Sequence, residues 1–163
     1  MDGQRIGNGV DIDVFAHSYR ATCALGAVAK SARVRHLVAY EPAGPQTVSQ
    51  EWVDRSTALI EQGHVGRAMS DFLTEIIGLT AAEVEALRTA PFTYDILEVA
   101  RATMPREAAA LRTVNLVGEA SMVRCPVTLL IGTDRPPWAR TLADDLVDVN
   151  ETIEIVPLQK LRS

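Results

Sequence analysis

The stretch IDVFAHSYRATCALG, Ile12–Gly26, decides how the chain is read. An apolar, β-branched run stops at Ala16-His17-Ser18, and a segment of small residues with helical character starts straight after it. Strand, sharp turn and helix in that order are the outline of a nucleophile elbow, in which a serine is presented on a strained turn. Such a turn needs small residues two before and two after the serine, because strand and helix approach closely there. Those positions hold Ala16 and Arg20. Alanine is a mild departure from glycine, whereas arginine forces a choice: the turn opens, or Arg20 escapes to the surface. On the motif alone Ser18 is either a nucleophile or an ordinary serine at a strand end.

Working outward, the pattern is strand, helix, strand, a long helical middle, then strand, helix, strand. The first strand is read as Val10 to Phe15, the helix as Tyr19 to Lys30, and the second strand as RVRHLVAYEP, closed by Pro42. CPVTLLIGTDRPPW restores a buried strand from Val127 to Ile131, a helix follows from Trp138 to Val147, and TIEIVPL is the last strand. Strands joined by helices, with no hairpin turns, are expected to be parallel and buried on both faces. The fold class is therefore α/β, with a parallel sheet of about four strands.

Between Gln46 and Ser121 the period is helical. Thr47 and Gln50 form a capping pair for a helix that Gly63 stops, and VGRAMSDFLTEIIG repeats the pattern to Gly78. Thr80 and Glu83 stand at capping-box spacing before a helix ended by Pro91, and Pro105 is read as the start of a fourth helix. Trp52, Leu59, Ile60, Phe72, Leu73, Ile76 and Ile77 are the expected contacts of this helical insertion. The domain reading is a core of residues 1–45 and 122–163 with a helical cap of residues 46–121.

The chain has 163 residues, 47% hydrophobic and 23% charged, with a formal net charge of −5. One domain with a real core fits that length, and the charge offers no footprint for nucleic acid or for anionic lipid. No apolar run approaches the ~20 residues of a membrane span, no signal sequence is visible, and a cytoplasmic location is expected. Cys23 and Cys125 lie in apolar stretches and read as buried small hydrophobes of a reducing compartment.

Three further groups bear on chemistry. Asp134, in the loop after a later strand, is a carboxylate placed to orient a histidine, or else an N-cap of the following helix. Glu41, after the second strand, is an alternative acid at the same end of the sheet. The histidines are His17, His36 and His64. His17 adjoins Ser18 on a strand, where neighbouring side chains point apart, and His36 lies within a strand. His64, past Gly63, is the one free to reach a cleft. Glu61 and His64 lack the further ligands of a metal set, and GNG at Gly7–Gly9 precedes a strand where a phosphate loop would follow one. No metal and no cofactor is expected. Asp11, Asp13, Asp144 and Asp145 read as solvated residues.

VDIDVFAHSYRATCALGAVAKSARVRHLVAYEPAGP, then the cap helices, then RCPVTLLIGTDRPPW and TIEIVPLQ, resemble the C-terminal part of an α/β-hydrolase fold protein with a helical cap. The resemblance runs from Val10 to Gln159 and rests on HSY, YEP and D-x-P-P in order. It implies the last four strands of an eight-stranded family sheet, with Ser18 at the nucleophile position, the Tyr19 N–H as oxyanion donor and Asp134 as the acid. The family histidine has no counterpart, because LQKLRS stands where GxxH is expected. The expectation is thus a truncated or degenerate serine hydrolase with little activity of its own. Two alternatives stay open. One is an active serine hydrolase of small esters or lactones, with His64 or another polypeptide supplying the base. The other is a ligand- or partner-binding module with a pocket lined by Trp52, Phe72 and Trp138. The strand at residues 10–15, apolar and without a neighbour on one side, is expected to invite self-association.

Overall fold

The computed structural model describes residues 11–30, 33–91 and 93–159. The described residues form two compact units, one of those up to Pro42 together with those from Asn115 on, the other of those from Ala43 to Val114.

The first unit is a four-stranded sheet of β1 (Ile12–His17), β2 (Val34–Tyr40), β3 (Val127–Gly132) and β4 (Ile153–Leu158), in that spatial order. Every pairing is parallel, as the helical connections require. Val10 and Gly7–Gly9 lie outside the described residues, and β1 runs two residues further than Phe15, up to the turn at Ser18. The helices of this unit are α1 (Tyr19–Val28), the short helix at Leu116–Ala120 and the helix at Pro137–Asp148, here called α6 and α7 from their chain order.

The register puts Val14 opposite Leu37, and Leu37 opposite Val127, which faces Ile153. Alternation then assigns Ala16, Ala39 and Leu129 to the same face. Leu37, Ala39 and Leu129 are fully buried there, as are Ala21 and Leu25 of α1, Ala120 of α6, and Ala143 and Leu146 of α7. The opposite face is barer than a doubly covered sheet predicts. Phe15 is 66% exposed, Val156 and Leu158 are exposed, and Val38, Tyr40 and Leu130 are half-buried. Within this unit, α1, α6 and α7 bury the face of Leu37, Ala39 and Leu129.

The second unit holds α2 (Gln50–Glu61), α3 (Val65–Asp71) running into a π-helical turn at Phe72–Ile76, α4 (Ala81–Arg88) and α5 (Thr93–Thr113). Gly63 and Gly78, both at φ 83°, follow α2 and the π turn, where the left-handed conformation suits glycine. The Thr80–Glu83 capping box forms, with Glu83 Oε2 accepting from Thr80 N at 2.8 Å and Thr80 Oγ1 from Glu83 N at 3.3 Å.

Three local expectations need correction. The cap of α2 is Ser49, whose Oγ accepts from Trp52 N at 3.1 Å. Thr47 instead tightens the preceding turn, accepting from Gly44 N at 2.9 Å. Pro105 does not start a helix but lies inside α5, which has 21 residues. Ala100, Ala108 and Leu111 are buried on both sides of it, at spacings that keep one helical face, so packing carries the helix through the missing N–H. Cys23 is exposed: the buried positions of α1 are Ala21, Thr22, Leu25, Gly26 and Val28, and helical period turns residue 23 outward.

Cys125 is buried, and desolvation pushes its thiol pKa up. A raised pKa and a covered sulfur both slow reaction, since the thiolate is the nucleophile. Under native conditions a thiol reagent is expected to modify Cys23 at once and Cys125 only after denaturant is added, read by mass spectrometry of peptides. Equal labelling of both would contradict the burial described.

Candidate functional site

A parallel sheet delivers the ends of all its strands to one edge, and ligands of open α/β sheets sit there. That edge carries Ser18 after β1, Glu41 after β2 and Asp134 two residues beyond β3.

Ser18 is the turn between β1 and α1. Its backbone adopts φ 54° and ψ −130°, a combination that L-residues other than glycine rarely hold. Such strain costs about 1–3 kcal/mol and persists only where the surroundings over-determine it. Here they do. Ser18 N donates to Tyr40 O at 2.9 Å, which extends the β1–β2 ladder past the strand end. Ser18 O accepts from Ala21 N at 2.9 Å and from Thr22 N at 3.2 Å, which opens α1. Ala16 and Ala21 are buried and small, as close approach of strand and helix demands. Arg20 is exposed, so the turn stays closed and the long side chain leaves by the surface. Ser18 and Tyr19 are half-buried, and Tyr19 is the first residue of α1.

Asp134 is exposed, in a turn that Thr133 anchors by donating its N–H to Leu158 O at 3.0 Å. It is not the cap of α7: Pro136 holds that place and Pro137 is the first helical residue, where its missing N–H is harmless. Glu41 is buried and, like Ser18, sits at positive φ, 46°. Its Oε1 accepts from Gly132 N at 3.3 Å, and its Oε2 is 3.0 Å from Arg135 Nε. The second candidate acid is thus joined across to the loop that bears the first. Sequence reading had no signal for Arg135, whose partner is remote in the chain.

The histidines go to different places. His17 stacks on Tyr40, ring centroids 4.8 Å apart and planes at 25°. His36 Nε2 lies 2.9 Å from Thr128 Oγ1, whose own proton goes to Glu154 Oε1 at 3.0 Å. Because that hydroxyl is already donating, His36 Nε2 must carry a proton. His36 pairs with Asp13, five residues before Ser18 along β1, which at ~3.3 Å per residue sets it roughly 16 Å from the serine. His64 precedes α3 in the helical unit. Among the described residues, no hydrogen bond joins a histidine to Ser18 or to Asp134.

Asp13 and Asp144 behave as surface groups. Asp13 accepts from Arg35 on the neighbouring strand, and that bond holds its pKa below the ordinary carboxylate value. Asp144 pairs with Arg140 one turn away. Trp52 and Phe72 are 6.1 Å apart at 57° within the helical unit, where Trp52 is a buried core residue. No group of three or more His, Cys, Asp or Glu able to hold a metal ion occurs among the described residues. No helix among them is long and apolar enough to cross a membrane.

The Glu41–Arg135 pair yields a prediction about the site's frame. Removing one partner of a buried ion pair leaves the other charge uncompensated, which costs about 3–5 kcal/mol. With Arg135 partly exposed, Arg135→Ala is expected at the lower end, and adding Glu41→Gln should recover part of the loss in urea unfolding. Equal midpoints for wild type and Arg135→Ala would show that the pair carries no weight.

Neither a protein-family model nor a curated protein matches the chain. Solved structures do match in fold. An alpha/beta hydrolase from Sphaerobacter thermophilus DSM 20745 is 25% identical with a TM-score of 0.75, over 95% of this chain and 62% of that one. A lipase-esterase related protein from Clostridium acetobutylicum ATCC 824 is 16% identical with a TM-score of 0.63, over 91% and 57%. The enol-lactonase from Burkholderia xenovorans LB400 is 16% identical with a TM-score of 0.61, over 92% and 58%. The chain therefore spans less than two thirds of the length of each, and what it spans has the α/β-hydrolase fold.

Proposed function

With the α/β-hydrolase fold as premise, we propose that Ser18 occupies the nucleophile position of a serine hydrolase of small esters or lactones, and that this chain has little or no such activity by itself. The observation that carries the first half is the strained backbone at Ser18, closed on both sides by hydrogen bonds. Strain of that kind is a hallmark of activated positions. Asp134 is the acid in this reading and the Tyr19 N–H the oxyanion donor. The ester or lactone class is supported by two of the similar structures, described as a lipase-esterase related protein and an enol-lactonase.

The second half rests on the base. A serine hydroxyl is a weak nucleophile until a neighbouring group takes its proton. Loss of the histidine alone costs on the order of 10⁶ in rate in a well-studied triad. His17 is stacked on Tyr40 and His36 lies far down the sheet, so neither supports general-base catalysis at Ser18. The helical unit, residues 43–114, is the cap in this reading, and α6, expected within 46–121, belongs with the sheet unit.

A fluorophosphonate probe and a p-nitrophenyl ester test it together. Expected are no stoichiometric labelling and equal ester turnover by wild type and Ser18→Ala. Ser18-dependent turnover approaching the ~1 s⁻¹ floor of ordinary enzymes would overturn it. That outcome belongs to a second reading, an active hydrolase with His64 as base, which the retained strain also favours. It requires that His64→Ala abolish the turnover as Ser18→Ala does.

The edge of β1 supports a corollary, self-association. Ile12 and Phe15 are 54% and 66% exposed, β1 contains no proline, and its one acidic residue, Asp13, is paired with Arg35 of β2. The opposite edge strand, β4, carries Pro157 and Glu154. Light scattering is expected to report a dimer that Phe15→Pro dissociates: Ser18 N donates toward β2, so alternation turns the residue 15 N–H to the open edge, where proline removes it. A monodisperse wild-type monomer would remove the corollary.

A further inference from the structure

The helical unit contains a groove of about 630 Å³, formed by α3, the π turn, α4 and α5. That volume lies within the range of small-molecule clefts, ~300–1,000 Å³. Its apolar side-chain lining comes from Met69, Leu73, Val84, Leu87, Ile96 and Leu97. Leu87 and Ile96 are exposed, so apolar surface faces solvent in the groove. The π turn forms one wall: Ile77 N donates to Phe72 O at 3.1 Å, and the widened turn carries Leu73. Turns of this type are rare in helices and frequent at functional sites.

Charge decides the kind of occupant. The ionisable side chains of the lining are His64, Arg67 and Arg88, with no carboxylate among them. Two hydroxyls also line it, but Ser70 Oγ donates to Gly66 O at 3.0 Å and Thr93 Oγ1 to Leu87 O at 2.6 Å. Their protons are spent on backbone, so the donors left for an occupant are basic. Arg67 engages Asp71 through Nε, and Arg88 engages Glu85 through one terminal nitrogen. A guanidinium has five N–H groups, so both retain donors beyond those pairs.

We propose that this groove binds an aliphatic carboxylate, with the tail on Leu73, Val84, Leu87 and Leu97 and the carboxylate at Arg67 and Arg88. The groove lies wholly within residues 43–114, and the arginines proposed to hold the carboxylate, Arg67 and Arg88, have no part in either Ser18 reading. Arginine suits the task because its planar fork matches carboxylate oxygens, and charge-assisted hydrogen bonds are about twice as strong as neutral ones.

Equilibrium dialysis of the full chain against octanoate, 1-octanol and octylammonium tests it. Octanoate is expected to bind at least about tenfold more tightly than octylammonium, a difference worth ~1.4 kcal/mol. Arg67→Gln/Arg88→Gln should weaken octanoate by a similar factor and leave 1-octanol unchanged. Both arginines are exposed, so folding should survive the change, and circular dichroism checks that. Leu87→Asp, also at an exposed position, should weaken octanoate and 1-octanol alike. Ser18→Ala should bind octanoate as wild type does, which keeps this result separate from that of the hydrolase reading. Absent octanoate binding, equal affinity for octanoate and octylammonium, or an unaltered affinity in the double variant would overturn the proposal.

Discussion

The hydrogen bond from Ser18 N to Tyr40 O is the constraint on which the sheet unit turns. It fixes the last rung between β1 and β2 at a residue whose φ of 54° points the chain away from the strand direction. Without it the backbone at residue 18 would relax toward negative φ and α1 would leave the sheet at another angle. The strain, about 1–3 kcal/mol, is set against the burial of α1: Ala21 and Leu25 are fully covered, and each large apolar side chain so buried contributes ~1.5–3 kcal/mol. The small residues at 16 and 21 follow from the same closeness. So does the outward course of Arg20, for which the interior of the turn has no room.

What could be read from sequence and what could not divide by range. The four strands announce themselves through β-branched runs such as RVRHLV and VTLLI, and their parallel order follows from the absence of hairpin turns between them. The elbow was legible because strand, turn and helix are contiguous. Helix faces were less so. In YRATCALGAV nearly every side chain is small or apolar, so composition gave Cys23 no mark of exposure, and only the packed helix shows which side faces the sheet. Pro105 misled for a related reason: a local start signal was outweighed by the buried stripe of Ala100, Ala108 and Leu111, which runs through it. Thr47 and Ser49 both suit a cap, and the choice between them rests on where α2 docks.

At the site, position was legible and partnership was not. Glu41 could be placed at a strand end from YEP alone, yet its burial against Arg135 and Gly132 depends on β2 and β3 lying side by side. The bareness of one sheet face was also hidden. Both faces of β3 read as apolar, and the runs that suggested burial on both sides include Val38 and Leu130, which are half-buried beside an exposed Phe15.

The histidines show why a motif and a mechanism are different claims. An elbow needs only neighbours in sequence, whereas a triad needs three distant loops to converge, and convergence is a property of topology. In a parallel sheet the converging positions are those past the strand ends, so a histidine within a strand is excluded from service by its register. His36, level with Asp13, is excluded on that ground, and it has instead become one end of a polar line, His36–Thr128–Glu154, laid across three adjacent strands. Such a line satisfies groups that an apolar face would otherwise leave unpaired. Thr128 is the hinge of it, since its single proton commits His36 Nε2 to donation and so fixes the ring within the sheet. His17 reaches the right edge but alternation turns it from Ser18, and it stacks on Tyr40. Within the sheet unit, then, the geometry that presents the serine is the same geometry that withholds both imidazoles from it.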